Sequence, residues 1–139
     1  MPEKETIERA HRDAEEGKAP STQAGEFVRE EMHHIREGKH GAASSKEAIA
    51  IGLSKARRAG VKLGQPTGPG TPARIRKQAK HDSAKGRQRK GSRPSRTRSV
   101  AVSKALKREE HAAASTANLS RQAKSVARRG AAQARSASA

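Results

Sequence analysis

Ser44-Ser45-Lys46-Glu47-Ala48-Ile49-Ala50-Ile51-Gly52-Leu53-Ser54-Lys55-Ala56-Arg57-Arg58-Ala59-Gly60 decides the fold class, because it carries a full set of helix signals. Ser44 and Glu47 fit a capping box: the serine hydroxyl accepts from the Glu47 amide while the glutamate reaches back. Ile49, Leu53 and Ala56 recur at i, i+4 and i+7, and Ile51 widens the stripe. Arg57 and Arg58 occupy the last turn, where cations suit the helix dipole. Gly60 supplies the stop, and Val61 is placed to fold back on that turn.

Two helices are expected upstream. Residues 3–16 put Ile7, Ala10 and Ala14 on one face, and Gly17 ends the run. Pro20 separates this helix from a second, capped by Ser21 or Thr22 and running to about Glu37. Phe27, Val28, Met32 and Ile35 form its apolar stripe, and Gly38 is its left-handed stop. Glu16-Gly17-Lys18 recurs as Glu37-Gly38-Lys39, a weak echo of one helix–turn step.

Downstream, residues 64–72 are a Pro/Gly linker. Residues 73–139 are low-complexity sequence of Ala, Ser, Lys and Arg. The chain therefore divides into a helical head (1–63), the linker, and a basic arm (73–139). The arm is expected to be disordered with helical tendency. Thr71-Pro72 resembles a helix start before residues 73–84. Residues 103–114 and 116–129 are free of Pro and Gly. The latter place Leu119, Ala123 and Val126 on one face, with Arg121, Lys124 and Arg128 around the others. Residues 86–98, holding Gly91 and Pro94, should stay extended. The expected class is mostly α with extensive disorder, its head a helical hairpin of two or three helices.

Composition supports that division. Ile, Leu, Val and Phe number 15 of 139 residues, under the roughly 20% typical of chains that fold throughout. Ordering each residue costs about 1–2 kcal/mol of backbone entropy, which so little apolar surface cannot offset everywhere. One Phe, with no Tyr or Trp, leaves too little to wall a pocket. No nucleophile elbow or phosphate loop is present. An enzyme, a small-molecule substrate and a cofactor are not expected. With no cysteine, disulfides and thiolate metal sites are excluded. No signal-peptide core and no apolar run near 20 residues occurs, so no membrane role is expected. The location expected is cytoplasmic and nucleoid-associated.

The net charge is +17, which favours a polyanionic partner. Residues 1–38 carry ten acids and six bases, so the excess lies beyond them. Eleven cations fall within 25 residues: Arg74, Arg76, Lys77, Lys80, Lys85, Arg87, Arg89, Lys90, Arg93, Arg96 and Arg98, with Asp82 the one acid among them. Lys104, Lys107, Arg108, Arg121, Lys124, Arg128 and Arg129 extend the series. Cations that neutralise phosphates release condensed counterions, which gives affinity without sequence preference. No aromatic residue lies in the arm for base stacking. The expected partner is the DNA or RNA backbone. Alternatives are an RNA- or ribosome-associated factor, and an adaptor whose head binds a protein.

Pro20 to Ala42, containing Gly25-Glu-Phe-Val-Arg-Glu-Glu-Met-His-His-Ile-Arg-Glu-Gly-Lys-His-Gly-Ala42, continues into Ser45-Lys-Glu-Ala-Ile-Ala-Ile-Gly-Leu-Ser-Lys-Ala-Arg-Arg-Ala-Gly60. Together these resemble a family of short basic bacterial proteins known as a domain of unknown function. The likeness covers roughly residues 1–63, and it implies no activity and carries over no functional residue. The tail is similar in composition to the arms of linker histones and bacterial histone-like proteins, though it favours Arg over Lys.

In the head, Lys46, Lys55, Arg57 and Arg58 could serve a helix–turn–helix reader. The concentration of these charges at the C-terminal end of the helix favours a plain antiparallel hairpin instead, since recognition helices contact bases from their N-terminal part. Phe27, Val28, Met32, Ile35, Ile49 and Leu53 are then a packing face or a face for a partner, with a homodimer through the head helices expected. His33, His34 and His40 lie near Glu30, Glu31 and Glu37. The HExxH pattern is missing, so ordinary surface histidines with i, i+4 contacts and no metal are expected.

Overall fold

The computed structural model describes residues 2–88 and 95–137. Among them the chain is all helical: α1 (Lys4–Glu15), α2 (Pro20–Arg36), α3 (Ser45–Arg58), α4 (Ala73–Arg87), α5 (Arg96–Arg108), a 3-10 turn at Ala112–Ala114, and α6 (Thr116–Ala137).

The head helices end as their sequences dictate. Gly17 and Gly38 take φ of 74° and 76°. Lys18 and Lys39 then donate their amides back to Asp13 and His34 at 2.9 and 3.0 Å, the paired bonds of a Schellman cap. The Glu-Gly-Lys echo is thus one capping device used twice. Ser44 accepts from the Glu47 amide at 3.1 Å. The Glu47 carboxylate reaches one residue further than a capping box requires, to the Ala43 amide at 2.6 Å. Val61 donates to the Ala56 carbonyl at 3.1 Å and packs on the core. α2 starts earlier than expected: Pro20 is its first residue, not a separator, and neither Ser21 nor Thr22 caps it. A proline fits there because its missing N–H would have had no helical partner.

α1, α2 and α3 run up, down and up. Ala24 and Phe27 of early α2 meet Ala56 and Leu53 of late α3, with Ala10 and Ile7 of α1 completing the cluster. Met32 and Ile35 of late α2 meet Ala48 and Ile49 of early α3. Alanine dominates both clusters, so the helices approach closely. At Gly52 a Cβ would sit 2.7 Å from the Val28 Cα. The hairpin reading of α2 and α3 holds.

Two pieces of the arm complete the head. Residues 106–114 lie against the turn between α2 and α3. Gly41 donates to the Leu106 carbonyl at 2.8 Å and Ala42 to Glu110 at 3.0 Å. Arg36 Nε donates to the Ala114 carbonyl at 3.1 Å, and the Ser45 hydroxyl donates to Ala113. Ala113, Ala114 and Leu119 thereby close the second cluster. Separately, α4 docks on α3 through Asp82, buried under the helix. Its carboxylate accepts from Ser54 Oγ and Arg58 Nε, both at 2.7 Å, and from Gln78 Nε2 at 3.0 Å.

Residues 73–139, expected from composition to be disordered, are therefore helical over most of the described part, including residues 86–87 and 96–98, which were expected to be extended. Locally permitted helices become ordered where Asp82 and residues 106–119 give them something to dock on. The same docking crosses the expected boundary at residue 63.

Burial pushes the Asp82 carboxyl up, but the bonds from Ser54, Arg58 and Gln78 and the Arg58 charge together hold it below its ordinary 3.8. A carboxylate lowered by folding adds stability above its unfolded value and loses it as pH falls through the folded one. The contribution of Asp82 to α4 docking is therefore fully present at neutral pH and is lost as pH falls through its lowered folded value. Asp82→Asn at pH 7 is expected to cost about 1.5–3 kcal/mol, the range for hydrogen bonds to a charged group. Amide exchange should show α4 losing protection while α2 keeps its own.

Candidate nucleic-acid interface

The cations of the chain fall into two sets. Those at the end of α3 are held by partners. Lys55 Nζ is bonded to Glu31. Arg57 donates to the Gly64 carbonyl at 3.2 Å, and Arg58 belongs to the Asp82 lock. Lys55, Arg57 and Arg58, candidate contacts from sequence, are structural cations of this fold; Lys46 stays exposed.

Arm cations behave differently. Arg74, Arg76, Lys77, Lys80 and Arg87 on α4 are exposed, and Lys85 is partly buried. Arg96, Arg98, Lys104, Lys107 and Arg108 on α5 are exposed, as are Arg121, Lys124, Arg128 and Arg129 on α6. Arg89, Lys90 and Arg93 lie outside the described residues. Among the described residues, no lysine or arginine of the arm pairs with a carboxylate; the ion pair between head and arm uses Arg58. Glu109 and Glu110, acids of the arm beside Asp82, sit where the chain crosses Gly41.

Helix geometry sorts these cations into lines. At 100° per residue, Arg121, Lys124, Arg128 and Arg135 fall within about 60° of one another around α6 and span about 21 Å along it. Leu119, Ala123 and Val126 lie on the opposite side, and Leu119 packs on the head. The anchored side of α6 thus turns the basic line outward. On α4, Arg76, Lys80 and Arg87 fall within about 40°, away from Asp82. Sequence reasoning left out Arg135; its signal is the seven-residue step from Arg128.

No family model, curated protein or solved structure matches the chain. The resemblance of residues 1–63 to a bacterial family gains no support from them.

The head residues expected to form a packing face or a partner face pack inside the chain. Phe27, Met32 and Ile35 are buried, covered by α1, α3 and Ala113–Ala114. Val28, Ile49 and Leu53 are partly buried against the same clusters. Large apolar residues that stay exposed are Ile75, Val100, Val102 and Val126, all in the arm. No helix among the described residues is long and apolar enough to cross a membrane.

The histidines divide as well. His33 is exposed, as a surface residue should be. His34 and His40 are not: their rings meet edge to face at 6.0 Å, beside buried Glu30 and Glu31.

Proposed function

We propose that this chain binds the sugar–phosphate backbone of nucleic acid, DNA foremost, without reading bases. The basic line on α6 carries the reading. Four guanidinium and ammonium groups spaced over about 21 Å match roughly six phosphate steps along one strand of B-DNA. The line points to solvent and, among the described residues, no carboxylate pairs with it, so its charge is free for a polyanion. A solubilising surface would mix both signs; here the arm has three acids, and the carboxylate of one of them, Asp82, is buried in the contact with α3. Lack of aromatic side chains beside the cations argues against stacking on single strands. The head, held against α4 and the start of α6, sets where these helices project. Chromatin-like compaction and a nucleoid location are the cellular roles this reading suggests.

A salt series tests it. For the full chain on random duplex DNA, log affinity should fall linearly with log salt, with a slope of about −0.9 per phosphate neutralised. Scrambling the DNA sequence should leave both affinity and slope unchanged. A flat salt response, or no binding at low salt, would remove the proposal. Stronger binding to structured RNA at matched salt would move it to an RNA- or ribosome-associated role.

A further inference from the structure

We propose that the head binds one divalent transition-metal ion between Glu31, His34 and His40. Glu31 and His34 share a face of α2, and His40 comes from the turn after it. One ligand atom from each lies within 4.8 Å of the others.

Buried polar atoms at the site lack the partners their burial demands. Glu31 is fully buried and Glu30 nearly so. Yet no hydrogen bond reaches Glu31 Oε2 or Glu30 Oε1. Among the described residues, Lys55 is the one ammonium close to both carboxylates. It bonds Glu31 through Oε1 and stays 3.9 Å from Glu30 Oε1. Two buried negative charges thus share one positive charge, and an uncompensated buried charge is strongly unfavourable.

His40 shows where a second cation fits. Its Nδ1 lies 3.0 Å from the Gly41 carbonyl. A carbonyl only accepts, so Nδ1 carries the proton and donates. In the neutral ring Nε2 then presents a lone pair toward Glu31 Oε2, 3.2 Å away. Two lone pairs facing each other at that distance need a positive charge between them. Fixing the far nitrogen of a histidine by a backbone carbonyl is also how metal-binding rings are commonly oriented. His34 Nε2 stands 2.9 Å from Glu3 Oε1 and 3.9 Å from Glu30 Oε1, so Glu3 offers a further oxygen from the start of α1.

Two imidazoles with carboxylate oxygens suit zinc and its first-row neighbours better than magnesium or calcium. Bonds of about 2.0–2.2 Å would draw the donor atoms together by about 1 Å. Rotation of the His34 and His40 rings, both partly open to solvent, supplies that closure.

A proton on His40 is the rival cation, and the experiment separates the two. The full chain is titrated with Zn2+ by calorimetry, and with Co2+ while its visible absorption is recorded. One Zn2+ per chain, a higher melting temperature and the intense absorption of low-coordinate Co2+ are expected. His40→Gln and His34→Gln should each weaken Zn2+ binding about 100-fold, while His33→Gln leaves it unchanged. Equal binding in His34→Gln and His40→Gln would overturn the proposal. The Co2+ spectrum needs no variant, so its absence in the unmodified chain would overturn it too, as would a His40 imidazolium whose ring signals ignore added Zn2+.

Discussion

Gly52→Val is expected to unfold the head. A Cβ at this position would lie 2.7 Å from the Val28 Cα and 3.0 Å from its amide nitrogen. Those are backbone atoms, so no rotamer change relieves the contact, and α2 and α3 must separate. Overpacking alone costs about 1–3 kcal/mol. Here separation also opens both apolar clusters, which share the α2–α3 seam. With the few large apolar residues available, stability will sit near the low end of the roughly 5–15 kcal/mol typical of domains. Circular dichroism should show most head helicity lost at 25 °C, with α6 amides near Leu119 losing protection. A cooperative melt within a few degrees of the parent would show that the helices are not packed as described.

Neutralising the outward lines is expected to abolish binding to duplex DNA while leaving the fold intact. In this variant Arg76, Lys80 and Arg87 on α4, and Arg121, Lys124, Arg128 and Arg135 on α6, become Gln. Glutamine has nearly the helix propensity of Lys and Arg, and none of the seven is buried. If six or more of them contact phosphates, affinity at about 0.1 M salt should fall by about 10³-fold or more, and the salt slope should flatten by about 0.9 per lost contact. A control that changes Lys46 and Lys62 instead, both exposed in the head, should lose little. An equal loss per charge removed in the two variants would mean that net charge, not the lines, drives binding.

How much of this was legible depended on distance along the chain. Local signals gave the three head helices nearly to the residue, because capping at Ser44 and the stops at Gly17, Gly38 and Gly60 are decided within one turn. The hairpin followed from the stripes of Phe27–Ile35 and Ile49–Ala56. What docks from the arm was not legible. Ala112–Ala114 has no periodicity and little area, and backbone bonds at Gly41 and Ala42 recruit it. Asp82 did carry a signal: a single acid among eleven cations invites the question of what it pairs with. Composition drew attention to the cations around it instead. Of the candidate site, Arg121, Lys124 and Arg128 were already placed off the apolar face of residues 116–129, while the extension of that line to Arg135 and the line on α4 emerged from helices expected to be only a tendency. The ion pairs of Lys55 and Arg58 were hidden for the same reason: their partners, Glu31 and Asp82, lie 24 residues away.

Docking of residues 106–114 against the α2–α3 turn also imposes an order in time. α2 and α3 leave the ribosome well before the segment that seals them. At about 5–20 residues per second, the 56 residues from Arg58 to Ala114 take about 3–11 s to make. Throughout that interval the side of Ile35, Ala42 and Ala48 that Ala113 and Ala114 will cover faces solvent. Helix and hairpin formation need only microseconds. The nascent head therefore waits, folded in outline and open on one side, for a piece of its own core that has yet to be translated.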